Sequence, residues 1–305
     1  MIFQANHPLL LSGSNREKDM FVKTKNFNSE ELAQFLELQK LSFSILQSAA
    51  SRLMGGETEK EVARQLVKDY YSAGFTSFFH LPVVLFGERT ALPGDWTVEK
   101  FYPKRKMLDA GDSVILDASP IQDGFLVDTS YSFCFGDSQA HRDMMKHLSQ
   151  YRDSIPASVN QGASFSQIAD SVIENMISHG FEPVHTKHIG EVLGHRAVRL
   201  SKLPFNPRMK GFDAFAISWF KLKNKLAMKG LGRRSPLWNN LKASEHAPHD
   251  GLWLVEPHAG KDGVGAKWEE ILVIEGGEAR WLDEAPPHVL QWRKIEMGDF
   301  YGPAA

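Results

Sequence analysis

Leu32, Phe35, Leu36, Leu38 and Leu41 lie among polar residues at the spacing of a wide helical face, and predict a helix over residues 28–53. Asn28 with Glu31 forms a capping pair at its start, and Gly55-Gly56 stops it. A second capping box, Thr58 to Glu61, opens a helix with Val62, Leu66 and Val67 on one face, ending near Gly74. Residues 78–86 then read as a strand, and Pro93-Gly94 and Pro103 mark a loop. Further on, helices are expected over 140–159 and over 164–179, the second closed by Gly180. Strands are expected over 253–256 and 268–275, joined by a glycine-rich connection over 260–265. Residues 1–27 are weakly patterned and read as an arm or loop. Residues 286–305 read as a docked tail.

This pattern repeats. A shift of 106 residues sets Gly56 on Gly162, Thr58 on Ser164, Val62 on Ile168, Ala63 on Ala169, Gly74 on Gly180 and Phe75 on Phe181. Each copy runs glycine, helix cap, helix, Gly-Phe, strand. Two α+β halves related by a pseudo-two-fold would form one domain with a site at the seam.

The stretch 111–136 carries the densest chemistry. Val114-Ile115-Leu116 is a buried-strand run ending on Asp117; Asp123-Gly124 is a turn signal; residues 125–135 read as a second strand. The result is a β-hairpin with a carboxylate on each strand, Asp117 and Asp128. Burying either is costly without a cation or hydrogen bonds. On this stretch alone, the two aspartates read equally as turn caps or as ligands of a shared metal.

Composition narrows the classes. The net charge of −2 gives no global argument for nucleic acid or an anionic membrane surface. The one cysteine, Cys134, excludes an intrachain disulfide and a cysteine-rich zinc site, and reads as a small buried hydrophobe. No run approaches the roughly 20 apolar residues of a membrane span, and Leu9-Leu10-Leu11 lacks the flanks of a secretory signal, so a cytoplasmic protein is expected. Residues 205–248 mix Phe212, Phe215, Trp219 and Phe220 with Lys221, Lys223, Lys225 and Lys229. That segment reads as an inserted helix packing its aromatic face on its own domain, or as a basic amphipathic helix facing a membrane or partner.

Two more acidic residues stand at the edges of apolar runs: Glu256 in Leu-Val-Glu-Pro-His258, and Glu269 in Lys-Trp-Glu-Glu-Ile-Leu-Val-Ile274. Between the two acidic pairs lies His188-Ile-Gly-Glu-Val-Leu-Gly-His195. Carboxylate and imidazole together suit divalent Mn, Fe, Co or Zn, and two such ions can activate a water and polarise a carbonyl.

With these residues in this order, the chain resembles the pita-bread metallopeptidases, the family of methionine aminopeptidase, the Xaa-Pro peptidases and creatinase. Asp117 and Asp128 match the family's aspartate pair in their separation of eleven residues, and Asp128-Thr-Ser matches in wording. Glu256-Pro257 falls on its Glu-Pro motif and Glu269-Glu270 on its Glu-Asp strand. The resemblance spans about residues 30–285. It implies an α+β fold with a curved antiparallel sheet, outer helices and an internal pseudo-two-fold repeat. It divides the chain into an N-terminal arm (1–29), a catalytic domain (30–285, with an insertion at about 203–248) and a tail (286–305). It implies two divalent metal ions, Mn, Co, Fe or Zn, held by Asp117, Asp128, His188, Glu256 and Glu269, with Asp128 and Glu269 bridging. Glu256 would also shuttle protons, and His195 would steady the tetrahedral intermediate. The histidine motif has two registers. His188 and His195 share the family's seven-residue spacing, which makes His188 the ligand; the rival register puts the ligand on Gly194-His195 and sets Lys202 where the second histidine belongs.

The implied activity is an aminopeptidase or Xaa-Pro-type peptidase acting on short peptides through a metal-bound hydroxide. One departure matters. The Xaa-Pro peptidases carry Leu-Pro-His ahead of the first aspartate, where this chain has Leu92-Pro93-Gly94. His80 is the nearest substitute, and His258 is a further candidate to supplement the site. The departure keeps open a non-peptide C–N hydrolase of the creatinase type, and a non-catalytic binding module is the third reading. Small peptide or amide substrates are the expected partners, with no nucleic acid and no membrane span. The insertion reads as a lid, a homodimer arm or a partner surface. The N-terminal domain that most Xaa-Pro peptidases carry is not expected here.

Overall fold

The computed structural model describes residues 21–298 apart from 96, 202–207, 210 and 232–233. Most of the expected arm, Lys202, part of the insertion and the last residues of the tail therefore lie outside the described residues. In chain order the main elements are α1 (Ser29–Arg52), α2 (Glu59–Ser72), β1 (Ser77–Phe86), β2 (Ser113–Gln122), β3 (Thr129–Cys134), α3 (Gln139–Ser149), α4 (Tyr151–Asn160) and α5 (Phe165–Ser178). They continue with β4 (Gly194–Ala197), α6 (Ala214–Met228), β5 (Gly251–Val255), β6 (His258–Lys261), β7 (Val264–Lys267), β8 (Glu270–Glu275), β9 (Glu278–Trp281) and α7 (Pro287–Glu296).

The helix ends follow their caps. Asn28 Oδ1 accepts from Glu31 N at 2.9 Å while Glu31 Oε2 accepts from Asn28 N at 2.8 Å, a reciprocal pair that satisfies two otherwise free N–H groups. The repeat is present in the fold. Helices α2 and α5 are both 14 residues long, both open on capping boxes (Thr58 with Glu61, Ser164 with Gln167), and both close on a left-handed glycine, Gly74 and Gly180.

Three expectations need correction. The helix expected over 140–159 is two helices, because Trp268 Nε1 donates to Leu148 O at 3.1 Å and draws that carbonyl out of the ladder at the break. Within α4, Pro156 has no N–H for the Arg152 carbonyl, and Trp281 Nε1 fills the vacancy at 2.7 Å. Next, the strand expected to stop at Asp117 continues to Gln122, because Asp117 is laddered on both sides, to Val83 of β1 and Ser130 of β3. Its partner is interrupted: Phe125–Leu126 pairs with the end of β2, Val127 and Asp128 leave the ladder, and β3 begins at Thr129. Finally, the glycine-rich connection is itself a hairpin, β6 with β7, turning at Asp262-Gly263, both with positive φ. Gly260 faces Gly265 across it, and a Cβ on Gly265 would run into the Thr90 backbone.

Two sheets carry the site. In one, β1, β2 and β3 pair antiparallel; in the other, β4, β5, β8 and β9 do. Among the described residues an isolated bridge, Ser130 to Glu269, joins them. One apolar cluster packs α1 and α2 on the first sheet through Phe35, Leu46, Leu66 and Phe78. A second gathers α3, α4, α5 and α7 around the fully buried Trp238, Trp253 and Trp268. The seam between the sheets is where the acidic residues meet. In the insertion, Phe212 pairs parallel to Phe78 of β1, and α6 buries Ala216 and Phe220 while Leu222 and Met228 stay exposed. Among the described residues no helix is long and apolar enough to cross a membrane.

Candidate metal centre

Each acidic residue is delivered by a local reason. Asp117 lies mid-strand on β2 with its side chain toward the seam, and Asp128 sits in the break before β3. Glu256 follows β5, where Pro257 cannot donate to a ladder and the strand ends. Glu269 lies between β7 and β8 at the bridge to Ser130. All four are buried.

At the centre of the four is a lysine. Lys267 Nζ donates to Asp117 Oδ2 at 2.6 Å, Glu256 Oε2 at 2.9 Å and Glu269 Oε2 at 3.1 Å. Only 3% of Lys267 is exposed, so this is an internal cation and not a surface ion pair. Burial opposes its charge, but Asp117, Glu256 and Glu269 outweigh burial and hold the ammonium well above the ordinary lysine range. Sequence reading passed over Lys267, taking the Lys-Trp-Glu-Glu stretch only for its glutamates.

The histidines fall into two groups. His188 has both ring nitrogens engaged: Nε2 donates to His258 Nδ1 at 2.9 Å, and Nδ1 faces Glu256 Oε2 at 2.9 Å. His258 Nε2 donates to the Thr90 carbonyl at 2.7 Å, which leaves its Nδ1 as the acceptor in that chain. His195 is arranged differently. Its Nδ1 donates to the Arg196 carbonyl at 3.2 Å, which leaves Nε2 facing the acidic cluster, 3.3 Å from Asp128 Oδ2 and 3.8 Å from Glu269 Oε1. His80 is aimed by β1 itself. Phe78 faces Pro120, His80 faces Ser119 and Val83 faces Asp117, so the strand carries an extra residue on either side of His80. That irregularity turns His80 Nε2 to 3.1 Å from Asp128 Oδ2 and 3.7 Å from Asp117 Oδ1, with Nδ1 donating to the Leu81 carbonyl. Gly94, where the Xaa-Pro peptidases carry histidine, lies in an exposed turn.

The charge states follow the geometry. For Asp128, burial is overcome by His80 and His195, which hold the carboxyl below its ordinary range. Burial likewise opposes the Glu256 charge, but Lys267 and His188 keep that group well below the ordinary glutamate value. Glu269 goes the other way: burial, and then the neighbouring Asp128, push it well above. Burial also raises Asp117. At His80 burial works against the charged form, but Asp128 and Asp117 prevail and its pKa is pushed up to about 9.

Three carboxylate oxygens are left over. Asp117 Oδ1, Asp128 Oδ1 and Glu269 Oε1 are buried without a hydrogen-bond partner. A native fold rarely leaves one such acceptor in the dark, and three converging ones call for a cation. The imidazoles of His80 and His195 stand beside them, and two sets of groups are spaced to hold a divalent ion: His80, Asp117 and Asp128, and Asp128, His195 and Glu269. The donor chemistry fits Mn, Fe, Co or Zn.

The sequence profile of metallopeptidase family M24 matches residues 33–275. The chain belongs to this family. The fold agrees with solved structures of family M24 type at low identity. An X-Pro aminopeptidase from Thermotoga maritima is 15% identical with a TM-score of 0.60, over 87% of this chain and 63% of that one. A prolidase from Pyrococcus furiosus is 16% identical (TM-score 0.59; 88% and 67%), and a methionine aminopeptidase from Thermotoga maritima 15% identical (TM-score 0.54; 85% and 98%). The chain thus spans about 63% of the X-Pro aminopeptidase but matches nearly the full length of the methionine aminopeptidase. No curated protein matches by sequence. The M24 fold, with its curved antiparallel sheets, outer helices and internal repeat, is the one this chain adopts.

Proposed function

We propose that this M24 protein is a metal-dependent hydrolase that cleaves the amide bond of a short peptide, as an aminopeptidase or an Xaa-Pro-type peptidase, with residues 30–285 as the catalytic unit. The observation that carries this reading is the set of unpartnered, buried oxygens of Asp117, Asp128 and Glu269 beside the Nε2 atoms of His80 and His195. These five residues would hold the metal. A divalent ion bound there would polarise a scissile carbonyl and acidify a water.

Contacts support roles for the other groups. Glu256, kept ionised by Lys267 and His188, is the base that takes the proton of the attacking water, as expected of the Glu-Pro position. His188 backs Glu256, and His258 with the Thr90 carbonyl fixes the ring, so its nitrogens serve the base. The geometry therefore favours the rival register, with His195 as ligand and His188 as positioning partner. Phe79 and Phe220 pack at tilted and edge-on angles against each other and against His195, and line that side with apolar surface.

A creatinase-type reaction on a non-peptide C–N bond is the second reading, favoured by Gly94 standing where the Xaa-Pro peptidases carry histidine. The test is a hydrolysis screen of Met-Xaa peptides, Xaa-Pro dipeptides and non-peptide amides, run with Mn or Co and again after chelation. Metal-dependent release of an N-terminal residue or a dipeptide product is expected. Cleavage confined to non-peptide amides would move the assignment to the second reading, and a protein that binds no metal and cleaves nothing would leave a binding module.

A further inference from the structure

Resting on the metal-hydrolase reading, we infer that Lys267 is a tethered cation standing in place of one of two ions, so that this site takes a single divalent metal.

The argument is one of donors. A carboxylate that bridges two ions uses both oxygens. Lys267 holds Glu269 Oε2, which leaves only Oε1 for a metal, and it also holds Asp117 Oδ2 and Glu256 Oε2. What remains is Asp117 Oδ1, the Asp128 carboxylate, Glu269 Oε1 and the Nε2 atoms of His80 and His195. That set falls into two groups of three that share Asp128, and both histidines face the same oxygen of it, Oδ2, at 3.1 and 3.3 Å, so an ion seated on one group takes the carboxylate oxygen that the other needs. Divided between two ions, it would leave each with about three protein donors and without the Glu269 bridge.

The lysine cannot easily leave. Its backbone is pinned to β3 on both sides: Lys267 N donates to Ser132 Oγ at 3.0 Å, and Ser132 Oγ donates to Lys267 O at 2.6 Å. Trp268, next in the chain, is fully buried and bonded to Leu148 O. Residues 267 and 269 lie two apart in extended chain, so their side chains share a face and the ammonium is built into the acidic cluster. An ammonium supplies charge and three donors in a fixed place, but no open coordination position. A single ion bound there would have to serve both the substrate carbonyl and the water, with Glu256, hydrogen-bonded to Lys267, as base.

The experiment is a metal count. Chelator-stripped protein is titrated calorimetrically with MnCl2 and with CoCl2, elemental analysis follows gel filtration, and the Mn(II) electron paramagnetic spectrum is recorded. The wild-type chain is expected to bind one ion with an uncoupled six-line manganese spectrum, Lys267→Arg one ion, and Lys267→Met two ions with a spin-coupled spectrum. Two ions in the wild type overturn the inference and leave the metal-hydrolase reading standing. One ion in both wild type and Lys267→Met also overturns it, because the lysine is then not what limits the count. A wild type that binds none overturns inference and reading together. If Lys267→Met does not fold, the wild type and Lys267→Arg decide: one ion in each supports the inference, and two in either refutes it.

Discussion

Glu270 is the neighbour of a candidate ligand, yet its side chain points to the opposite face of the strand, and there it meets Arg152. Arg152 Nε lies 2.8 Å from Glu270 Oε1 and Nη2 3.3 Å from Oε2, a forked pair that His288 Nε2 joins at 2.9 Å. Arg152 Nη2 also donates to the Asp283 carbonyl at 2.7 Å, and its guanidinium lies over Trp281. Glu270 is wholly buried and 16% of the Arg152 side chain is exposed, so water can compensate little if one partner is removed. Replacing Arg152 by leucine strands a carboxylate in the interior, and breaking a buried pair from one side costs about 3–5 kcal/mol. Removing both charges, with Arg152→Leu and Glu270→Leu together, should recover most of that loss, because an apolar pair of similar volume needs no compensation. The assay is equilibrium urea unfolding of the two single variants and the double, followed by fluorescence of the buried tryptophans. The reasoning is refuted if Arg152→Leu costs under about 1 kcal/mol, the range of a solvated surface pair. It is equally refuted if the double variant is less stable than both singles.

Three other outcomes are expected. In metal-free protein the His80 pKa is raised from 6.5 to about 9, so its contribution to stability is complete below about pH 6.5 and is lost as pH rises through 9. Melts of wild type and His80→Gln should therefore differ most at pH 6 and converge by pH 10, and a gap that widens with pH would contradict the sign. Asp128→Asn removes the carboxylate common to both ion-holding groups; at 100 times the wild-type Kd, Mn should stabilise the wild type by about 2.7 kcal/mol and the variant by almost nothing, measured by thermal shift. Gly265→Ala sets a methyl group into the Thr90 backbone, and the overpacking should cost about 1–3 kcal/mol by urea unfolding, whereas Gly277→Ala, with open space around it but a positive φ, tests backbone strain alone.

The helical half of the fold was readable because its signals are local. Asn28 with Glu31, Thr58 with Glu61 and Ser164 with Gln167 each specify a start within one turn, and Gly74 and Gly180 specify ends. The duplication could be seen for the same reason. What misled the reading was contact between segments distant in sequence. The break at Gln150 depends on a tryptophan more than a hundred residues later, and the continuation of β2 past Asp117 depends on neighbours on both sides of the ladder. The hairpin at residues 258–267 is a different case. Asp262-Gly263 is a turn signal of the same kind as Asp123-Gly124, but the surrounding glycines read as a loop, and only contacts made in the fold explain them: a Cβ on Gly265 would meet the Thr90 backbone and one on Gly260 the Val184 side chain.

For the site, residue types in order were enough to gather Asp117, Asp128, Glu256 and Glu269, because each stands at an edge of an apolar run and the four fall in the order of the family's acidic motifs. The division of work between His188 and His195 was not accessible in that way. It depends on which nitrogen each ring has free, and that depends on His258, the Thr90 carbonyl and the Arg196 carbonyl, none of which spacing can rank. Lys267 was accessible. It stands two residues before Glu269, at the end of an extended segment, so period-two alternation puts its side chain on the same face as the glutamate that points into the site. Trp268 between them points the other way, into the cluster with Trp253. That alternation alone sets a positive charge among the four acidic residues. A cation supplied by the chain changes what the same five ligand types can bind, since a lysine that takes one oxygen from each of three carboxylates removes from the cluster the bridge that a second ion would need.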